Sequence, residues 1–265
     1  MNMLQQLKNK YYKYWYILVY SFKQSNIKIF SFFVFRLAVI IQFCLTIYVW
    51  LLFNNDSNLI TYLLVGYIIQ KLAWTNVTNY LARSIFTNTI TNQLLLPINY
   101  TAYLFFRELG SRLIPNLFSA LIICLLLPFF ASHLTAPSGV FILIIPVLLI
   151  LGFCIDFLAS YSIAMTTFWL KDGFDSVAEL VAAITNIFTG LYIPFQFLPS
   201  PLKNILPFNP YAWMNYHPMQ IYLGNYSTNQ ILLTLLGGVG WIITLYFISQ
   251  LVFKLGLKRY ESEGL

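Results

Sequence analysis

The stretch Gly190–Gly224, GLYIPFQFLPSPLKNILPFNPYAWMNYHPMQIYLG, decides the fold. It lies between two long apolar segments, so it sits at one face of a membrane. It is too apolar for a solvated loop, and Pro194, Pro199, Pro201, Pro207, Pro210 and Pro218 forbid an unbroken helix. Proline removes a backbone donor and clashes with the preceding turn, and lipid does not tolerate unsatisfied backbone groups. The stretch therefore predicts a pair of short helical pieces that dip into the bilayer and turn back, shielded by neighbouring helices.

Composition agrees. Of the 265 residues 59% are hydrophobic and only 9% charged, with mean hydropathy +0.73, whereas soluble domains carry about 25% charged residues. The chain reads as an all-α polytopic membrane protein forming a single domain, 1–265. The net charge of +7 comes from basic residues clustered at span ends, which implies flanks at a membrane surface and no nucleic-acid partner. Cys44, Cys124 and Cys154 fall in apolar runs without metal-ligand spacing, and buried thiols are expected. Residues 8–28 predict an amphipathic helix in the headgroup layer, since Tyr12, Trp15, Tyr16, Val19 and Phe22 recur at three- and four-residue spacing.

About 20 apolar residues cross the hydrocarbon core. Six crossings are expected: Ile29–Phe53, Leu59–Ala82, two between Arg112 and Lys171 divided at Ser132–Gly139, one from Val177, and one from Gln230 to Phe253. A polar turn, Asn54 to Asn58, should end the first. The polar residues of Ser84–Phe106 predict an excursion out of the membrane. With six crossings, Lys8, Lys10, Lys13, Lys23, Lys28, Arg36, Arg83, Arg107, Arg112, Lys171, Lys254, Lys258 and Arg259 share the side of the termini. Only Lys203 falls opposite, and the positive-inside rule then makes both termini cytoplasmic.

Several function classes lack their signatures. There is no G-x-x-x-x-G-K-[ST] loop, so the chain cannot hydrolyse ATP alone, and neither H-E-x-x-H nor G-x-S-x-G occurs. His133 and His217 are far apart without clustered carboxylates, and no metal site is expected. Gly237, Gly238 and Gly240 read as close helix packing. Lys71 and Asp156 lie within predicted spans, where charges face a bundle interior or a cavity. Two readings stay open: a structural Lys71–Asp156 pair, or residues on a substrate path. Gln93-Leu94-Leu95-Leu96-Pro97 predicts a short apolar ridge that either packs under the bundle or docks a partner, since exposed apolar patches mark interaction surfaces. A re-entrant pair that closes one face of the membrane suits transport better than catalysis.

Several motifs carry a resemblance. They are the interfacial helix, Leu94-Leu95-x-Pro97, Gly190-x-x-x-Pro194 with Pro199, Pro207-Phe208, Pro218, Tyr222-Leu223-Gly224, and the tail Gly256-Leu257-Lys258-Arg259-Tyr260-Glu261-Ser262. Together they make the chain resemble a type-2 ABC exporter permease of the bacterial six-span branch without a fused ATPase. The resemblance implies a cytoplasmic-membrane permease that pairs with a second permease, identical or different, through the first and fifth spans. It implies a dimer of ABC ATPase subunits beneath, with ATP and Mg on those subunits and no cofactor on this chain. The coupling region would be residues 84–106, with Asn92, Gln93, Leu94, Leu95 and Pro97 at the ATPase. The amphipathic helix and the Lys171–Asp175 turn would touch the same partner. The external gate would be 190–224, with Gly190, Pro194, Pro199, Pro207 and Pro210. Relatives often carry a basic residue where this chain has Leu96.

Alternating access would then export a small hydrophobic or amphiphilic substrate. Asp156 and the aromatic content favour a cationic, drug-like one. The alternative is a secondary transporter or channel driven by an ion gradient, for which inverted repeats are expected and none is visible.

Overall fold

The computed structural model describes residues 3–24, 29–53, 56–170 and 174–262, with side-chain detail for 12–24, 41–53, 56–170 and 176–260. The described residues form helices and turns, with no strand. Helix α1 (Met3–Gln24) exposes Tyr12, Trp15, Tyr16 and Tyr20, as an interfacial helix should. Its other face is not free. It packs along α6 (Tyr100–Leu126), with Tyr14 stacked on Phe106 at 5.2 Å. Gly110 permits the approach, because a Cβ there would stand 2.3 Å from the Leu18 carbonyl oxygen. Residues 25–28 of the predicted interfacial segment lie outside the described residues.

Helix α2 (Ile29–Phe53) buries Phe43 and Ile47 against Tyr67 of α3 (Ser57–Ala73). Asn54 and Asn55 of the predicted polar turn fall outside the described residues. Asp56 caps α3, accepting from the Asn58 amide at 3.1 Å, which offsets one orphan donor of the first turn.

The second crossing departs from expectation. Instead of one helix over Leu59–Ala82, α3 ends at Ala73 and α4 (Val77–Phe86) begins after Trp74-Thr75-Asn76. No glycine or proline forces the break. After a short turn comes α5 (Ile90–Leu94).

The third crossing also starts earlier than its charges suggest. Asn99 caps α6 through its side chain, and Arg107, Glu108 and Arg112 lie inside the helix rather than before it. A 3-10 turn over Leu127–His133 prolongs α6. Ser138 then caps α7 (Gly139–Ala164), its hydroxyl also donating to the Ile221 carbonyl at 2.6 Å.

Helix α8 (Phe174–Phe188) has 15 residues. At 1.5 Å per residue it covers about 22 Å, short of the ~30 Å hydrocarbon core. The short pieces expected from the prolines are α9 (Ser200–Ile205) and α10 (Tyr216–Tyr222), joined by 3-10 turns at 206–208 and 210–214. Helix α11 (Thr228–Ser262) runs 35 residues, well past the expected Phe253, and carries the basic tail.

Among the described residues three segments are long and apolar enough to cross a bilayer: Tyr100–His133, Gly139–Trp169 and Thr228–Tyr260. Ile41–Phe53 and Ser176–Phe188 are shorter apolar helices. One expectation needs correction: Cys44 and Cys124 are exposed, on faces that a membrane would cover, rather than buried. Gly237 and Gly238 do mark a close approach: an added Cβ would meet the Trp213 indole at 2.9 and 2.8 Å, and at Gly238 also the Leu151 side chain of α7 at 3.1 Å.

Gly110→Ala should loosen α1 from α6, because the clash is with backbone that cannot rotate away. The expected result is a lower melting temperature and faster proteolysis of α1 in detergent. Gly240→Ala, whose Cβ meets nothing within 4 Å, should instead be neutral or stabilising by up to about 1 kcal/mol, the helix preference of alanine over glycine.

Candidate functional site

The gap between α3 and α4 is where buried polar groups converge. A helix end leaves backbone groups without partners, and in lipid each must be satisfied within the protein. Three side chains from α6 and α7 meet that need. The Asp156 carboxylate on α7 accepts from both the amide and the hydroxyl of Thr75, each at 2.7 Å. The Glu108 carboxylate on α6 accepts from the Asn76 amide at 3.0 Å. Asn116 donates to the Trp74 carbonyl at 2.8 Å.

Glu108, only 1% exposed, is charge-compensated. Arg107 bonds it at 2.8 Å and Arg112 stands 3.5 Å away. The Arg107 guanidinium also lies over the Tyr80 ring of α4 at 3.2 Å. Local sequence favours a break here: Thr75, Asn76, Val77 and Thr78 are weak helix formers, and Thr and Asn side chains compete for backbone hydrogen bonds. Once α7 offers a carboxylate at Thr75, the broken form is satisfied.

A Lys71–Asp156 pair, one of the two readings of these residues, is not among the ion pairs of the described residues. Asp156 is fully buried and bonded to Thr75, with Ser160 at 3.5 Å. The Lys71 ammonium lies over the rings of Tyr67 and Trp74, 4.9 and 4.7 Å from their centroids. Sequence reasoning missed Thr75, Glu108 and Asn116. Their signal was an Asn/Thr cluster inside an otherwise apolar span, and an acid flanked by two arginines.

At the end of the bundle that holds the tail, the region 84–106 divides its residues by direction. Leu94 tucks into the main core. Gln93 turns inward, donating to the Tyr80 hydroxyl at 2.9 Å and accepting from the Tyr100 hydroxyl at 3.1 Å. Asn92, Leu95, Leu96 and Pro97 face outward, with Leu95 80% exposed. The ridge is therefore Leu95-Leu96-Pro97, and Gln93 is its anchor. A second anchor is Tyr260 on α11, whose hydroxyl lies 3.1 Å from that of Thr91 and donates to Asn88 at 3.3 Å. Lys171 and Gly173 of the predicted neighbouring turn lie outside the described residues.

The stretch 190–224 occupies the opposite end. Gly190 and Gly224, its first and last residues, both adopt left-handed backbone, with φ of 73° and 72°, which glycine takes without penalty. Pro194 and Pro199 precede short helical turns and accept from the amides three and four residues on. Pro207 and Pro210 lie at the starts of the next turns, positions that need no amide donor. The hairpin is tied at both ends. Tyr62 of α3 donates to the Gly190 carbonyl at 2.8 Å and accepts from Asn215 at 3.2 Å. Trp213 donates to the Thr234 carbonyl of α11 at 2.8 Å. The Pro207 carbonyl can only accept, so His217 carries its proton on Nε2 and receives the Tyr226 hydroxyl at Nδ1.

These parts define a class: an all-helical protein with long apolar helices, a proline-rich hairpin at one end and an exposed apolar turn at the other. A family model, described as ABC-2 family transporter protein, matches residues 53–264. The chain belongs to that family, whose members are the transmembrane subunits of ABC-type transport systems and work with ABC ATPases. A search of curated protein sequences returns no match.

Removing the joint's acceptors should cost more than removing a charge. Asp156→Ala strands the Thr75 amide and hydroxyl and should lower stability by about 1–3 kcal/mol for each group. Asp156→Asn keeps one acceptor and should cost less. Because Lys71 is held by rings, Lys71→Met combined with Asp156→Asn should be additive within about 0.5 kcal/mol. Thermal unfolding of the four proteins measures this. Recovery of wild-type stability in the double variant would restore the ion-pair reading.

Proposed function

We propose that this chain is the passive, membrane-embedded half of an ATP-driven exporter. It pairs with a second permease subunit, identical or different, above two cytoplasmic ABC ATPase subunits that bind ATP and Mg. Both termini face the cytoplasm, the chain crosses the cytoplasmic membrane six times, and 190–224 closes the outer face. Alternating access moves a small amphiphilic substrate outward.

The observation that carries this reading is that one broken helix touches both working ends. Its first half, α3, packs against α10 and bonds Gly190 and Asn215 of the gate. Its second half, α4, leads into the Leu95-Leu96-Pro97 ridge and is held to it through Tyr80 and Gln93. Glu108 and Asp156 clamp the joint between the halves. A push on the ridge can tilt α4 against α3 there and so reach the gate without unfolding either helix. The break is the hinge.

The geometry shifts the substrate reading. Asp156 is engaged with Thr75, and a substrate cation would have to displace those bonds. Neither Lys71 nor Asp156 lines the cavities of about 320 Å³ at the gate end. A lipophilic cation therefore rests on the aromatic rings alone, and an amphiphile without fixed charge fits as well. The gradient-driven alternative predicts transport by the lone chain without nucleotide.

Co-expression with an ABC ATPase, capture in mild detergent and transport in proteoliposomes test the proposal. Leu95→Asp, on the outward face, should weaken ATPase capture more than about tenfold, the scale of one interfacial hot spot. Tyr260→Phe should leave capture intact and lower transport per ATP hydrolysed, because it releases only the tail's hold on Asn88 and Thr91. Transport by the purified chain without ATPase or nucleotide would refute the reading.

A further inference from the structure

The gate half of the molecule is nearly free of charge. From Asp56 to Gln70, from Leu127 to Ile155, and from Thr189 to Phe253, the charged side chains are Asp56 and Lys203 and no others. These two, far apart in sequence, line the same cavity of about 320 Å³, within the volume range of small-molecule sites, about 300–1,000 Å³. They do not neutralise each other, since the ion pairs of the described residues are Arg107–Glu108 and Arg112–Glu108. Asp56 uses one carboxylate oxygen to cap α3, and the Lys203 ammonium makes no hydrogen bond among the described residues. Between them the wall is polar. Gln220 accepts from the Asn225 side-chain amide at 2.8 Å, which fixes that pair and leaves the Gln220 amide hydrogens and the Asn225 oxygen for a guest. Gln196 and the Tyr216 ring add to the lining.

We infer that this cavity binds a small zwitterion in which an ammonium and a phosphate are joined by a short linker, the ammonium at Asp56 and the phosphate at Lys203. A simple anion meets Asp56 repulsively and a simple cation meets Lys203 likewise. A guest that carries one charge of each sign satisfies both walls and leaves the net charge of the site unchanged. The same chemistry occurs in a free solute and in the headgroup of a zwitterionic lipid. The inference does not depend on ATP-driven export, because binding is measured on this chain alone.

The test uses the full chain in nanodiscs of phosphatidylglycerol, which supply no zwitterion. Glycerophosphoethanolamine is titrated by calorimetry in one arm. In the other, phosphatidylethanolamine is added stepwise and retained lipid is counted by native mass spectrometry. Saturable binding of one molecule per chain is expected in at least one arm. Binding of the free solute assigns a soluble guest, and binding of the lipid alone assigns a headgroup. Lys203→Gln on exposed α9 and Asp56→Asn, which retains capping ability, should each weaken binding about tenfold, the scale of one charge-assisted bond. Ethanolamine and glycerol phosphate, each with half the charge pair, should bind more weakly than the zwitterion. Absence of binding in both arms, equal binding of glycerol phosphate, or affinity unchanged in both variants would overturn the inference.

Discussion

Everything in this molecule depends on how three residues of backbone, Trp74-Thr75-Asn76, are kept satisfied where lipid excludes water. An unpaired amide or carbonyl in hydrocarbon costs several kcal/mol, and the gap presents at least two donors and one acceptor. Asp156, Glu108 and Asn116 supply the partners from two different helices. The break therefore exists only where α3, α4, α6 and α7 meet. The cost of burying Glu108 is offset by Arg107 and Arg112. Buried ionic groups seldom add net stability over an apolar core; what they supply here is a fixed place for the joint.

From the joint the structure runs in two directions. Toward the tail, α4 carries the turn whose apolar ridge, Leu95-Leu96-Pro97, is exposed, and that turn is anchored inward by Gln93 and Tyr260. Toward the opposite end, α3 holds the hairpin by Tyr62 while α7 and α11 hold it by Ser138 and Thr234. Glycines start and end the hairpin, and prolines start its turns. The hairpin follows directly on the 15-residue α8.

The fold class was legible because lipid imposes it: low charge, long apolar runs and a proline-dense insert leave few solutions besides a helical bundle with a re-entrant hairpin. Helix boundaries set by capping were less legible. Charges at Arg107, Glu108 and Arg112 suggested a membrane edge, yet Asn99 starts the helix earlier and the cluster is folded inward. The break between α3 and α4 was hidden for a related reason. Periodicity sees an apolar run through Ala73 to Ala82, whereas the break is decided by carboxylates from distant positions, Asp156 and Glu108. Asp156 drew notice as a buried charge, but the partner inferred for it was another charge rather than a backbone amide. The sequence placed an apolar ridge at Gln93 to Pro97, but Gln93 and Leu94 turn inward, because Tyr80 and Tyr100 bond Gln93 and the core takes Leu94, which no local pattern shows.

The most direct test is hydrogen exchange at the Thr75 and Asn76 amides in the chain bound to its ATPase, with and without a non-hydrolysable ATP analogue. If the broken helix is the hinge, these two amides are protected at rest and change protection when nucleotide binds, together with amides of 200–222. Unchanged protection at Thr75 and Asn76 while the gate responds to nucleotide would contradict the account.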